Sequence, residues 1–364
     1  MKTIFITHNF RRTSFSEMSV DLAIHLAELG NDVIFVSFRP FYEFPEEYPT
    51  KKGKLIIYSW PTKKRPTRFV DFVFFSKLYL KHKPNIVLSH FASSNIALSV
   101  SKILSIGRVK TIDYYHTLTE AIAINGNSAP IIYKIRKIIF YRLFVDRIIC
   151  VSDMARLDLV KHFYCNPNKA ITVLNSLKDR YKNQSVTPKI KKIHYLGGLN
   201  KAKGIDILID AFEAYLKQNP TSNLHLTIAG GGHITENIIS RIKSIYKITY
   251  IGELSYDAID NFIVDSYAII IPSLADNLVT VGIETLMNKK LLAISTNTGL
   301  AQYLTLSECL KFKPEFEDIL ITLGKIEKME EKEYSQLIEN GRIKYLKLFQ
   351  IADYLKTMEL ILLK

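Results

Sequence analysis

The sequence predicts an α/β fold of two domains, each built on a parallel sheet with crossover helices. The chain has 364 residues, more than one core usually holds, since cores stop growing at roughly 250–300 residues. Short β-rich runs alternate with stretches of helical period along its whole length, the pattern of strands joined by helical crossovers. Residues 179–192 are polar, unperiodic and contain Pro188; they interrupt the alternation near the midpoint and read as a linker.

The elements follow in order. Lys2–Thr7 reads as a buried strand. Ser14-Phe15-Ser16-Glu17 fits a helix capping box, and Met18, Leu22, Leu26 and Leu29 recur on one face of the helix behind it. Gly30 stops that helix, and Asp32–Phe38 returns as a strand. Asn85–Ser89, Thr111–Tyr115, Arg147–Val151 and Ala170–Leu174 read as further strands of the first sheet. Beyond the linker, Ile193–Leu196 is a strand and Gly204–Gln218 a helix, with Ile205, Leu208, Ile209, Phe212 and Leu216 in register. Strands follow at Leu224–Ala229, Ile248–Ile251, Tyr267–Ile271 and Leu291–Ser295, and Lys344–Leu363 is an amphipathic helix. The expected domains are therefore 1–178 and 193–343, with 344–364 as a final helix packing back on the first domain.

Composition narrows the function classes. With 48% apolar and 23% charged residues, disorder, a collagen-like fibre and a coiled coil are excluded. Cys150, Cys165 and Cys309 cannot all pair, and none stands at metal-ligand spacing from another, so a reducing cytosol is expected. No signal-peptide apolar region follows Met1. The best apolar run, Ile138 to Val151, is broken by Arg142, Asp146 and Arg147, whereas a spanning helix needs about 20 apolar residues. Of the net charge of +14, nearly all lies in residues 1–180, with 27 Lys and Arg against 14 Asp and Glu; residues 181–364 hold 22 and 21. That excess calls for an acidic partner on the first half. Nucleic acid fits poorly, because no zinc-finger, helix-turn-helix or RNP signature occurs. Lys63, Lys64, Arg65 and Arg68, beside Phe69, Phe72, Phe74 and Phe75, fit an anionic membrane surface. A core-facing aromatic helix with a solvated basic side fits them nearly as well. Tyr133 to Arg147 is a second basic and aromatic stretch.

Ligands of open α/β sheets bind beyond the carboxyl ends of the strands. After the strand ending at Pro272-Ser273, a loop carries Asp276-Asn277 and a helix begins near Thr280. Backbone N–H groups of Asn277, Leu278 and Val279 at the positive end of that helix suit phosphate oxygens. Asp276 and Glu284, eight residues apart, suit the paired hydroxyls of sugars, since a carboxylate accepts two good hydrogen bonds.

Here the sequence resembles the retaining glycosyltransferases of family four (group 1), whose GT-B architecture has two Rossmann-like domains facing across a cleft. Their hallmark is Glu-x7-Glu; this chain reads Asp276-x7-Glu284, after Pro272-Ser273 and before Thr298-Gly299. The resemblance implies that Asp276 faces the donor sugar and Glu284 the ribose of the nucleotide. The family's strand, Gly-Arg-Leu and Lys-Gly pattern appears as Gly197-Gly198-Leu199 and Lys203-Gly204, with Gly198 where the diphosphate-binding Arg is expected. Lysine cannot copy the bidentate contact of that guanidinium, although Lys201 can replace part of its charge. Gly230 and Gly231 are expected to border the nucleotide, and His116 to lie beside the donor sugar. The family's first loop is glycine-rich; here Asn9–Ser14 stands instead, with Arg11, Arg12 and Ser14 as acceptor-side candidates.

The expected activity is metal-independent transfer of a sugar, with retention, from a nucleotide-diphosphate donor to a glycan or lipid-linked acceptor. His116, Lys203 and Asp276 are the catalytic candidates, no cofactor is implied, and the expected setting is cytoplasmic, at the inner membrane face. The alternatives are a catalytically impaired binding or assembly protein of the same architecture, supported by Gly198, and a nucleotide-sugar epimerase.

Overall fold

The structure, a computed structural model, describes residues 1–8, 12–38, 47–62, 65–91, 93–126, 131–182, 191–232 and 234–364. Arg11, Lys63, Lys64 and most of the expected linker lie outside the described residues. The chain divides into two units, one of Met1–His116, Ala129–Asn175 and Ile351–Lys364, the other of Thr117–Ser128 and Ser176–Gln350.

The first unit holds an eight-stranded sheet of β1 (Thr3–Thr7), β2 (Asp32–Ser37), β3 (Glu47–Pro49), β4 (Lys54–Ser59), β5 (Ile86–His90), β6 (Lys110–Tyr115), β7 (Arg147–Cys150) and β8 (Ala170–Thr172), in the order β3-β4-β2-β1-β5-β6-β7-β8. All neighbours are parallel except β3 and β4. Ile4, Phe5 and Ile6 are fully buried, as a central strand covered on both faces requires. The first helix, Ser14–Glu28, is capped one residue earlier than expected. Ser16 N donates to Thr13 Oγ1 (3.3 Å) and Thr13 N donates to Ser16 Oγ (2.7 Å), so Ser16 closes the box. Glu17 is released to pair with Arg12 at 3.0 Å.

The hairpin of β3 and β4 was not anticipated. Lys51, Lys52 and Lys54 obscure the apolar alternation, yet Leu55 aligns with Val33 of β2 and is buried. The tail is two helices, Glu331–Leu348 and Ile351–Leu363, where one was expected. At the break Phe349 is buried and its carbonyl accepts from Leu177 N at 2.9 Å, which takes the backbone out of the helical ladder. The last helix belongs to the first unit, where Lys2 Nζ and Lys110 Nζ each donate, at 2.7 Å, to the carbonyls of Leu363 and Ile361. Cations at these orphan carbonyls complement the negative helix end.

The second unit holds a six-stranded sheet of β9 (Lys192–Leu196), β10 (His225–Ala229), β11 (Ile248–Tyr250), β12 (Ala268–Ile271), β13 (Leu291–Ser295) and β14 (Leu310–Phe312), in the order β11-β10-β9-β12-β13-β14, all parallel. Its core centres on Ile193, Ile228, Ile270 and Ala293, packed by the helices Ile205–Gln218 and Phe316–Lys328. Because β10, β9 and β12 are neighbours, the loops leaving their carboxyl ends lie side by side. Among the described residues no helix is long and apolar enough to cross a membrane.

Candidate functional site

Three loops of the second unit build the site, and glycines let them approach. After β10, Gly230 has φ +133°, and a Cβ there would stand 1.9 Å from the Gly197 carbonyl oxygen beyond β9. Gly197 N donates to Ala229 O (3.1 Å) and Leu199 N to Gly231 O (2.9 Å), so the two glycine turns run against each other. Gly204 has φ +67°, and a Cβ there would stand 2.0 Å from the Pro272 carbonyl. Only glycine tolerates both constraints. The close approach brings the 3-10 turn Lys201–Lys203 against the end of β12, where Leu274 N donates to Ala202 O at 2.9 Å. Asn125 supports the turn from below, its Oδ1 accepting from Ala202 N at 3.0 Å.

Lys203 Nζ is thereby ion-paired with Asp276. The second carboxylate oxygen of Asp276 accepts from Asn277 N at 2.9 Å, and the loop is held to the next one by Gly299 N donating to Asp276 O (3.1 Å). Lys203, Asp276, Val279 and Thr280 line a cavity of about 250 Å³, with Gly197 and Leu278 on its walls. The helix Thr280–Met287 begins there with no side-chain cap at Val279. Its amino end, carrying partial positive charge, opens on the same cavity as the lysine. A cation and a helix amino end around one hollow suit an anionic ligand.

The other candidates fall around this centre. Gly198 adjoins the cavity wall; a Cβ there would meet Asn200 Nδ2 at 3.1 Å and otherwise ordinary space. Burial pushes the Tyr195 phenol up in pKa, and this hydroxyl donates to Gly198 O at 2.8 Å. The carboxylate of Glu253 lies over Gly231. Lys201 is on the exposed side of its turn, and Asn277 is buried.

Glu284 is 1% exposed and bonded to a residue that sequence reasoning missed. Arg180 Nη2 reaches Glu284 Oε1 at 3.3 Å, while Nε and Nη2 of the same guanidinium fork onto Asp260 at 2.6 and 3.2 Å. Nη1 donates to Tyr256 Oη at 2.9 Å. Burial opposes the charge on Arg180, but the Asp260 hydrogen bond and the facing carboxylates raise its pKa overall. The order of this cluster marks the second carboxylate of the Asp276-x7-Glu284 pair as a buried, charge-matched group.

In the first unit, His116 follows β6. Its Nε2 lies 3.1 Å from His90 Nδ1, and its ring stacks on Tyr114 and Phe91 at centroid distances of 4.6 and 4.0 Å. Burial lowers the pKa of both histidines well below the ordinary range, so both are neutral at physiological pH. Ser14 is buried in the first helical turn, and Arg12 is engaged by Glu17. Arg65 and Arg68 are exposed. Among the described residues no group of three His, Cys, Asp or Glu side chains is placed to hold a metal ion.

Known proteins match along most of the chain. The family described as Glycosyltransferase Family 4 matches residues 17–177, and that described as Glycosyl transferases group 1 matches residues 178–344. No curated protein matches by sequence. Among solved structures, the chain is similar to sucrose-phosphate synthase from Thermosynechococcus elongatus (14% identity, TM-score 0.79), covering 99% of this chain and 98% of that one. It is also similar to a glycosyltransferase from Rickettsia africae (14% identity, TM-score 0.75, 99% and 97% covered). A third is the Anabaena protein HepE in complex with UDP and glucose (12% identity, TM-score 0.74, 98% of each chain covered). At such identities the likeness is one of fold, that of two Rossmann-like parallel-sheet domains.

Proposed function

The chain belongs to the family-four, group 1 glycosyltransferases of GT-B architecture, and from that premise we propose a retaining, metal-independent transfer from a UDP- or GDP-sugar to a glycan or lipid-linked acceptor in cell-surface polysaccharide synthesis. The observation that carries this reading is the cavity where Lys203, Asp276 and the amino end of Thr280–Met287 meet. In it the donor diphosphate takes Lys203 from Asp276. The carboxylate oxygen so freed then accepts hydrogen bonds from the sugar hydroxyls, the other being held by Asn277 N, while the amides of Leu278 and Val279 stabilise the leaving diphosphate. Glu284, held by Arg180, is assigned to the ribose and His116 to the donor sugar. UDP in the HepE structure supports a uridine nucleotide. The basic segment around Arg65 and Arg68 is assigned to an anionic membrane surface that carries the acceptor.

Titration with UDP, GDP and ADP, followed by melting temperature and then by donor hydrolysis, tests the proposal. One nucleotide should stabilise the protein in proportion to its affinity, and its sugar conjugate should be hydrolysed. The absence of a guanidinium at Gly198 favours a second reading, a binding protein of the same architecture. Stabilisation by a nucleotide without donor turnover would establish it; no stabilisation by any nucleotide at millimolar concentration would overturn the donor site itself.

A further inference from the structure

The helix Ile131–Leu143 packs against its own unit by one side only. Phe140 and Tyr141 are buried, with the Tyr141 ring 5.8 Å from that of Phe163. Lys137 turns to the same side, its ammonium 5.1 and 5.4 Å from the Phe140 and Tyr141 rings. At about 100° per residue, Ile131, Ile135, Ile139, Ile132 and Leu143 fall on a stripe roughly 120° wide on the opposite side. That stripe is exposed, with Ile131 at 69%, Ile132 at 67% and Leu143 at 64%. An ordinary surface helix carries polar residues there. Arg136 borders one edge, Ile138 the other, Arg142 stands within it, and the helix contains no Asp or Glu.

The same unit exposes a second basic and aromatic element, in which Arg65 and Arg68 are exposed. Directly after them, Phe69 begins the helix Phe69–His82 with its ring stacked on that of Phe72 at 6.2 Å, both exposed.

We propose that Ile131–Leu143 is an interfacial anchor. Its isoleucines enter the acyl region of an anionic bilayer while Arg136 and Arg142, both exposed, meet the lipid phosphates. The inference rests on the reading that this protein works at a membrane surface, and it adds an apolar element to a contact so far assigned to charge. The charge pattern selects this occupant over a second copy of the chain. A two-fold pairing of the stripe would set its own arginines against one another, with no acidic residue of the helix to separate them. An anionic bilayer offers both a negative surface and an apolar phase beneath it.

The test uses the full chain carrying Ile139→Trp, because the native Trp60 is buried. Vesicles are phosphatidylcholine alone, or mixed equally with phosphatidylglycerol, with brominated acyl chains in a parallel set. The protein should sediment with the mixed vesicles, and the new indole should shift to shorter wavelength and be quenched by bromine. Ile135→Ser/Ile139→Ser should lower vesicle affinity about tenfold, through lost apolar insertion, with nucleotide affinity unchanged. Binding to vesicles without a shift, or undiminished affinity of the double variant, would overturn the anchor and leave the electrostatic reading standing. No binding to mixed vesicles would overturn both, while nucleotide titration still judges the transferase reading. A shift that follows protein concentration without vesicles would assign the stripe to self-association and overturn the anchor.

Discussion

Replacing Arg180 by methionine removes a guanidinium and keeps a long side chain in its place. The loss falls on Glu284, which is 1% exposed and has Arg180 Nη2 at 3.3 Å. Asp260 also loses its fork at 2.6 and 3.2 Å, but it keeps Asn288 Nδ2 at 3.0 Å and is partly solvated. Breaking a buried ion pair from one side costs about 3–5 kcal/mol, because the remaining buried charge loses the counter-charge facing it. Since 1 kcal/mol moves the melting point of a domain this large by about 2–4 °C, Arg180→Met should melt roughly 6–20 °C below the wild type. Glu284→Gln in the same chain removes the buried charge that faced Arg180 and should recover most of that loss. Calorimetry and urea unfolding of both single variants and the double variant measure the coupling as a double-mutant cycle. A single Arg180→Met variant within about 1 kcal/mol of wild type, or a double variant no more stable than Arg180→Met, would refute the buried-pair argument.

Other outcomes follow from the same geometry. Gly198→Arg should be tolerated, since its Cβ would crowd only the end of Asn200, and should tighten nucleotide-diphosphate binding by about tenfold through a charge-assisted contact; unchanged affinity in calorimetric titration would mean the diphosphate does not lie over this turn. Gly204→Ala should cost at least about 2 kcal/mol, combining φ +67° with a Cβ against the Pro272 carbonyl, and denaturant unfolding at near wild-type stability would contradict it. Burial lowers the pKa of His8, His90 and His116, that of His8 to about 3. The unfolded chain binds these protons near pH 6.5 and the folded one does not. Stability is therefore full above about pH 6.5 and falls as pH drops below it, by about 1.4 kcal/mol per pH unit for His8 down to about pH 3, with His90 and His116 adding in the same direction. His8→Phe should flatten the profile by one proton; an unaltered slope would remove His8 from the account.

Local pattern carried much of the fold into the sequence. The strands expected at Ile193–Leu196 and Leu291–Ser295 are found at Lys192–Leu196 and Leu291–Ser295, because apolar runs of that length bounded by glycine, lysine and polar turns permit little else. That Lys203, Gly204 and Asp276 come together was legible for a related reason. Each stands in the segment leaving the carboxyl end of β9 or β12, and parallel sheets bring such segments to one edge. β4 was not legible, since its identity depends on pairing with β2 while its own basic flank argues for solvent.

Sequence alone thus determined two α/β units, their glycine turns, and the Asp276-x7-Glu284 spacing. Tertiary structure decided which charges meet. Arg180 stands in a polar stretch with no local mark, and only the path of the chain brings it to Glu284, 104 residues away. His90 joins His116 across 26 residues because β5 and β6 are neighbours. The helix Ile131–Leu143 has apolar residues on two sides, and periodicity cannot say which side packs. That depends on which neighbour is present to exclude water, and on this helix Phe163 meets the tyrosine side and leaves the isoleucine stripe exposed.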